Sequence, residues 1–232
     1  IVPRTVQHES NEYIITSISK YAFTISKIKF LQFPADSELQ TIENKAFYHS
    51  KIKMISIPSS VTELKEGWCE QTSNLNKIII DPNNKRYICL DEKYIIGKSS
   101  IENDNYDDFI FAIRNIKIAI IPSFIKRIKS YSLNECKHLQ TIEIPIDSQL
   151  QTIENDAFSF SSIERLTLPS NLTDLREGWC NVTERLTYVD VSPNNPRYLA
   201  DSKNKYIIGK SSIENDDYDV FLFCARDIET MT

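Results

Sequence analysis

Ile52-Lys53-Met54-Ile55-Ser56-Ile57-Pro58 sets the pattern of this chain: a short strand whose residues six, three and one places before a proline are apolar and point the same way. The phasing recurs as Ile28, Leu31 and Phe33 before Pro34, and as Ile116, Ala119 and Ile121 before Pro122. It returns as Leu139, Ile142 and Ile144 before Pro145, and as Ile163, Leu166 and Leu168 before Pro169. Two further copies are displaced by one residue, Leu75, Ile78 and Ile80 before Pro82, and Leu186, Val189 and Val191 before Pro193. Pro34, Pro58 and Pro82 are spaced by 24 residues, as are Pro145, Pro169 and Pro193. A fixed period of 20 to 30 residues marks a solenoid in which each repeat buries its apolar face only against its neighbours.

Proline at the end of each strand removes an N–H the ladder would use, so the chain must leave the sheet there. It returns through a segment with its own apolar pair, Val61 and Leu64, Ile125 and Ile128, or Leu172 and Leu175. A larger unit is superimposed on the short one. Leu39-Gln-Thr-Ile-Glu-Asn-Lys-Ala-Phe47 reappears as residues 150–158, Glu66-Gly-Trp-Cys69 as residues 177–180, and Tyr94 to Asp104 unchanged as Tyr206 to Asp216. The expected organisation is therefore one solenoid domain over residues 1–232, made of a supermodule at 37–147 and a second, partial one at 148–232. Ile228 takes the place of Ile116 shortly before Thr232, so the array is expected to belong to a longer one and its last turn to be frayed. Residues 1–15 match no repeat and are expected to lead into, and cap, the first turn.

All four glycines, Gly67, Gly97, Gly178 and Gly209, fall at two equivalent positions of the supermodule, and are expected to mark turns. Trp68 and Trp179, at another repeated position, are expected to fill the wide part of the core. Between Pro82 and Pro122 the spacing widens to 40 residues. The surplus holds Asp81-Pro-Asn-Asn-Lys-Arg-Tyr87, Tyr94-Ile-Ile-Gly97 and Phe109-Ile-Phe-Ala112, a turn followed by β-prone runs around a polar linker. This predicts a β-hairpin excursion between Tyr87 and Ala112, repeated from Tyr198 to Cys224.

The proline-phased strands, the Ala-Phe anchors and the Asn-Asn-x-x-Tyr excursions make most of the chain resemble the BspA-like leucine-rich repeats, a family of surface proteins of bacteria and anaerobic protists. Ile118 to Ile128, continued to Cys136 and Leu139, resembles one complete family repeat. The chain departs from the family pattern in having tryptophan where phenylalanine is usual and little glycine before the Ala-Phe anchors. The resemblance implies a mainly β leucine-rich-repeat solenoid of stacked short parallel strands with hairpin excursions. It also implies adhesion or protein binding at a cell surface or in a secreted protein, with host surface or matrix proteins as partners.

Composition narrows the alternatives. A net charge of −5 argues against nonspecific nucleic-acid binding, which needs clustered Lys and Arg. The apolar residues form no run long enough to span a bilayer. His8, His49 and His138 occupy no recurring site, and Cys136-x-His138 lacks the further ligands of a zinc site. No pair among the 32 acidic residues, such as Glu143 and Glu154, is singled out as a catalytic dyad, and no glycine-rich phosphate loop is present, so neither enzyme activity nor a cofactor is expected. Five cysteines leave at least one unpaired. Cys69 and Cys180 sit at equivalent places four strands apart, about 19 Å at the ~4.8 Å strand spacing, too far for a disulfide. Asn171 and Asn181 head sequons that their counterparts in the first copy lack, which favours the reading that they arise by chance and are unmodified.

Residues between the core positions form the outward face of the strands. Its early rungs carry Lys29, Phe30, Lys53, Met54, Lys77, Ile79, Lys117, Ile118 and Ile120, and its later rungs Glu143, Glu164 and Asp190. Apolar residues rimmed by lysine have the makeup of a protein-contact patch. These nine residues are the candidate binding site for a protein partner, with cover by the excursion at 87–112 as the alternative reading. An adhesin-like module and an intracellular scaffold both fit such a face. Carbohydrate binding would need aromatic rows, and only Phe30 and Tyr188 qualify.

Overall fold

The computed structural model describes residues 1–229. The chain divides into two compact units, Ile1–Asn115 and Ile116–Thr232. Every regular element among the described residues is a strand, as the alternation of apolar and polar residues requires.

In the first unit the strands are β1 (Thr5–His8), β2 (Asn11–Ile14), β3 (Ser17–Ile18), β4 (Phe30–Leu31), β5 (Thr41–Ile42), β6 (Met54–Ile57), β7 (Glu63–Leu64), β8 (Lys77–Ile80), β9 (Tyr87–Leu90), β10 (Tyr94–Gly97) and β11 (Asp108–Ala112). The residues that match no repeat form the β1–β2 hairpin. Each later coil then contributes one strand to each of two parallel sheets, β4-β6-β8 and β3-β5-β7. The first sheet holds the proline-phased strands. The second holds the return segments, with Ile18, Ile42 and Leu64 in register. Between the sheets lie Leu39, Ile42, Ile52, Ile55, Ile57, Val61 and Leu75, none more than 1% exposed.

The third side of each coil is a turn rather than a strand, and its backbone bonds to the turn of the next coil: Phe23 N–H to the Ala46 carbonyl, and Phe47 N–H to the Trp68 carbonyl. These turns place left-handed residues four apart, at Tyr21 and Ile25, Lys45 and His49, and Gly67 and Gln71, with φ between 54° and 63°. Gly67 is thus a turn glycine, as expected. Tyr21 and Lys45 hold the same conformation without glycine, which explains why the anchors tolerate its absence.

The excursion has one more strand than expected. β9, β10 and β11 form a three-stranded antiparallel meander, with a bulge between Ile95 and Ile96. Gly97 corrects the expectation that all four glycines mark turns: it ends β10, and a Cβ there would lie 2.9 Å from the Tyr87 ring. Space, not φ, selects glycine at that position. Ile28 corrects another expectation. It is 39% exposed, because β4 is the first strand of its sheet and no earlier coil covers its flank.

The second unit repeats the scheme with β12 (Ile118–Ile120), β13 (Arg127–Ile128), β14 (Thr141–Glu143), β15 (Thr152–Ile153), β16 (Arg165–Leu168), β17 (Asp174–Leu175), β18 (Tyr188–Val191), β19 (Tyr198–Ala200), β20 (Tyr206–Gly209) and β21 (Val220–Cys224). Strands β12, β14, β16 and β18 make the proline-phased parallel sheet, β15 pairs in parallel with β13 and β17, and β19-β20-β21 is the second meander. Its turns have left-handed residues at the same four-residue spacing, including Gly178 at φ 67°. Gly209, like Gly97, is chosen for space: a Cβ would meet Leu222 at 2.6 Å and the Tyr198 ring at 3.0 Å. The last turn, expected to be frayed, falls in part on residues 230–232, outside those described.

Candidate functional surface

In the first unit, parallel pairing fixes which face residues are neighbours. Phe30 is opposite Met54, and Met54 opposite Lys77, while Ser56 is opposite Ile79. Lys77 therefore continues the Phe30–Met54 row and does not extend the row of Lys29 and Lys53. The result is an apolar row flanked and ended by ammonium groups. Phe30 is 61% exposed and Ile79 42%, while Met54 is half-buried. Lys29, Lys53 and Lys77 are exposed.

In the second unit, Ile118 and Ile120 are 49% and 54% exposed on β12, beside the exposed Lys117. Ile118 faces Thr141, then Arg165 and Tyr188, while Ile120 faces Glu143. From β16 onward this face is polar and engaged with itself. The Arg165 guanidinium lies 4.9 Å from the Tyr188 ring centre, and Arg185 pairs with Glu164 at 2.9 Å. Asn204, from the β19–β20 loop, donates to the Tyr188 hydroxyl and the Asp190 carboxylate. The nine candidate residues thus fall as six on the first unit and three on the second.

His8, His49 and His138 are exposed and lie on β1, in the turn after Phe47, and in the loop after Cys136. Among the described residues, no group of three or more His, Cys, Asp or Glu side chains could hold a metal ion. No helix among them is long and apolar enough to cross a membrane. The Asn171 amide donates to the Ser148 carbonyl at 2.6 Å, whereas its counterpart Ser60 in the first unit donates to the Leu39 carbonyl, two residues further on in the repeat. The donating nitrogen is the atom that N-glycosylation would modify.

The five cysteines are free thiols. Burial pushes Cys69 up to about 12 and Cys180 up to about 11, against the opposing pull of Arg114 and Arg226. The thiolate is the nucleophile toward thiol reagents, so these buried, protonated groups are inert while the fold holds. Cys136 is fully buried, whereas Cys89 and Cys224 are half-buried. Titration with an aromatic disulfide at pH 8 is expected to label no thiol beyond Cys89 and Cys224 in the native chain and all five in denaturant. Rapid native labelling of Cys69 would contradict the packing described above.

Comparison with known proteins agrees with this geometry. A family profile described as BspA type leucine-rich repeat region matches residues 6–105 and 100–224, in six copies. No curated protein sequence matches the chain. A leucine-rich repeat protein from Eubacterium ventriosum ATCC 27560 superposes with a TM-score of 0.63 and 24% identity, over 74% of this chain and 44% of that one. A leucine-rich cell surface protein from Faecalibacterium prausnitzii A2-165 superposes with a TM-score of 0.53 and 17% identity, over 97% of this chain and 62% of that one. The chain thus spans less than two thirds of either structure.

Proposed function

Because this chain belongs to the BspA-type leucine-rich repeat family, we propose that it is a non-enzymatic, adhesin-like module that binds a host or matrix protein through an exposed sheet face. The observation that carries this reading is Phe30, 61% exposed at the start of a row through Met54, with Lys29, Lys53 and Lys77 around it. Apolar side chains grouped on one face and rimmed by charge have the makeup of a protein-contact patch, and lysines around an apolar centre favour an acidic partner surface. Ile118 and Ile120 beside Lys117 offer a second patch of the same chemistry. A cell-surface location is supported by the description of the Faecalibacterium relative.

Phe30→Asp with Met54→Asp is expected to weaken retention on immobilised matrix proteins at least about tenfold, since central apolar contacts carry most interface energy. The melting transition should shift little, because neither residue is in the core. Unchanged retention by the folded double variant would sink the proposal for this face.

The half-buried free thiols Cys89 and Cys224 favour a second reading, an intracellular scaffold, because oxidising compartments pair accessible cysteines. Surface biotinylation of intact source cells separates the two. Labelling before lysis supports the adhesin, whereas labelling only after lysis supports the scaffold.

A further inference from the structure

Strand β8 ends its three-stranded sheet with one edge open. Lys77 N–H bonds to the Lys53 carbonyl at 3.1 Å and Asp81 N–H to the Ile57 carbonyl at 2.9 Å, so these residues face β6. The alternation of a parallel ladder turns the N–H and C=O of Ile78 the other way. There the Cys89 thiol lies 3.9 Å from the Ile78 carbonyl, and a groove of about 650 Å³ runs beside the strand, lined further by Ile79, Glu92 and Lys93. Among the described residues, none accepts a hydrogen bond from Ile78 N–H.

The repeat of this coil in the second unit shows what such an edge takes. Val189 stands where Ile78 does, 111 residues on. Its N–H donates to the backbone carbonyl of Asn204 at 3.2 Å, while the Asn204 amide is held by Tyr188 and Asp190. The chain reaches its own edge because the β19–β20 loop is one residue longer, with eight steps from Tyr198 to Tyr206 against seven from Tyr87 to Tyr94. In the first unit the shorter loop closes on itself. Lys93 N–H bonds to the Leu90 carbonyl at 3.0 Å, with Asp91 and Glu92 both left-handed. The edge is left without its plug.

We propose that the open edge of β8 is a strand-addition site, at which an extended segment of a partner protein gives a backbone carbonyl to Ile78 N–H and sets an acidic side chain against Lys77. Backbone pairing with an exposed edge is a general mode of peptide recognition. The acidic side chain follows from the repeat. Where Tyr188 and Asp190 accept from an amide, the first unit has Lys77, a donor, and Ile79, an apolar contact. A carboxylate flanked by apolar residues complements that pair. This site shares Lys77 with the Phe30–Met54 row but uses the backbone of Ile78 and not the Phe30 side chain, so it stands if that row binds nothing.

The test begins with amide exchange on the full 232-residue chain. Ile78 is expected to exchange at least tenfold faster than Val189. A phage library of random linear octapeptides, panned against the same chain, should enrich sequences with an acid among alternating apolar residues, and a bound octapeptide should slow exchange at Ile78. Replacing residues 90–92 by the longer second-unit loop, residues 201–204, together with Lys77→Tyr and Ile79→Asp, rebuilds the plug and should abolish binding. Lys77→Glu, a surface change that leaves the fold intact, should weaken it at least tenfold, while Phe30→Asp alone, a strand further from Lys77 than Met54 is, should not affect it. The proposal fails if Ile78 is as protected as Val189 in the free chain, if no octapeptide is enriched, or if enriched octapeptides bind the plugged variant equally well.

Discussion

Asn84→Leu is expected to destabilise the first unit by about 3–5 kcal/mol, since several buried backbone groups lose their partner at once and each unsatisfied group costs about 1–3 kcal/mol. Asn84 is buried after the proline corner. Its Nδ2 donates to the carbonyls of Pro58 and Val61, both at 2.9 Å, and its Oδ1 accepts from Arg86 N–H at 2.9 Å and Tyr87 N–H at 2.8 Å. The first pair ties it to the preceding coil and the second starts the excursion. Tyr87 completes the latch, its hydroxyl accepting from Leu64 N–H at 2.9 Å. Asn195 and Tyr198 make the same bonds in the second unit, to Pro169, Leu172, Arg197 and Leu175.

Asn84→Asp gives a sharper test of the same latch. Its carboxylate would keep the two bonds from N–H groups but turn an oxygen toward two carbonyls, so burial and repulsion would raise its pKa in the folded state. The protonated acid can donate again. Stability of this variant should therefore be recovered as pH falls toward the ordinary aspartate range near 3.9 and lost as pH rises through the raised folded value. Denaturant unfolding between pH 4 and 8, with amide exchange at Leu64 as the local readout, checks both variants. A loss below about 1 kcal/mol for Asn84→Leu would mean that water or a neighbour replaces the latch.

The motif around Asn84 was legible as a turn because Asp, Asn and Pro favour turns through their own backbone chemistry. Its second role was not, since no periodicity tells which carbonyls a buried amide will reach. The proline-phased strands were legible for a simpler reason: Ile52, Ile55 and Ile57 are at most 1% exposed because their spacing leaves them no other face. Phase failed at Ile28, where the neighbouring coil that phase assumes is missing. Gly97 and Gly209 read as turns because sequence shows a missing side chain without showing the ring that takes its space.

The candidate surface was legible as a set of outward residues, but its rows were not. The pairing of Lys77 with Met54 depends on register, which tertiary packing fixes. Arg114 gave no signal at all. It is 1% exposed, its guanidinium 4.2 Å from the Phe111 ring centre and 3.8 Å from the Cys69 sulfur. A charge buried to that degree is found only once the surrounding rings and polar groups are in place.

Trp68→Ala is expected to cost about 3–5 kcal/mol, the range for removing a large aromatic side chain from a core that cannot collapse around the gap. In the first unit the rings form a continuous line. Phe23 stacks on Phe47 at 5.0 Å, Phe47 meets Trp68 edge-on at 6.0 Å, and Trp68 reaches Phe111 at 5.7 Å. Trp68 is thus the joint between the stacked turns and the meander, and its loss separates β11 from the coil before it. The backbone around it is already committed, with Gly67 left-handed and the Trp68 carbonyl taken by Phe47 N–H at 3.0 Å. Little relaxation is available to fill the space. Trp68→Phe retains one ring of contact and should cost only about 1–2 kcal/mol. It also leaves Trp179 as the single tryptophan, so its emission on excitation at the red edge, where tyrosine does not absorb, can be followed separately in its packing between Phe158 and Phe223. Denaturant unfolding of both variants, read at the Phe109 and Phe111 amides by hydrogen exchange, decides the matter. If Trp68→Ala leaves those amides protected, the meander is held by the Asn84 and Tyr87 latch alone, and the aromatic line fills space without joining the two parts.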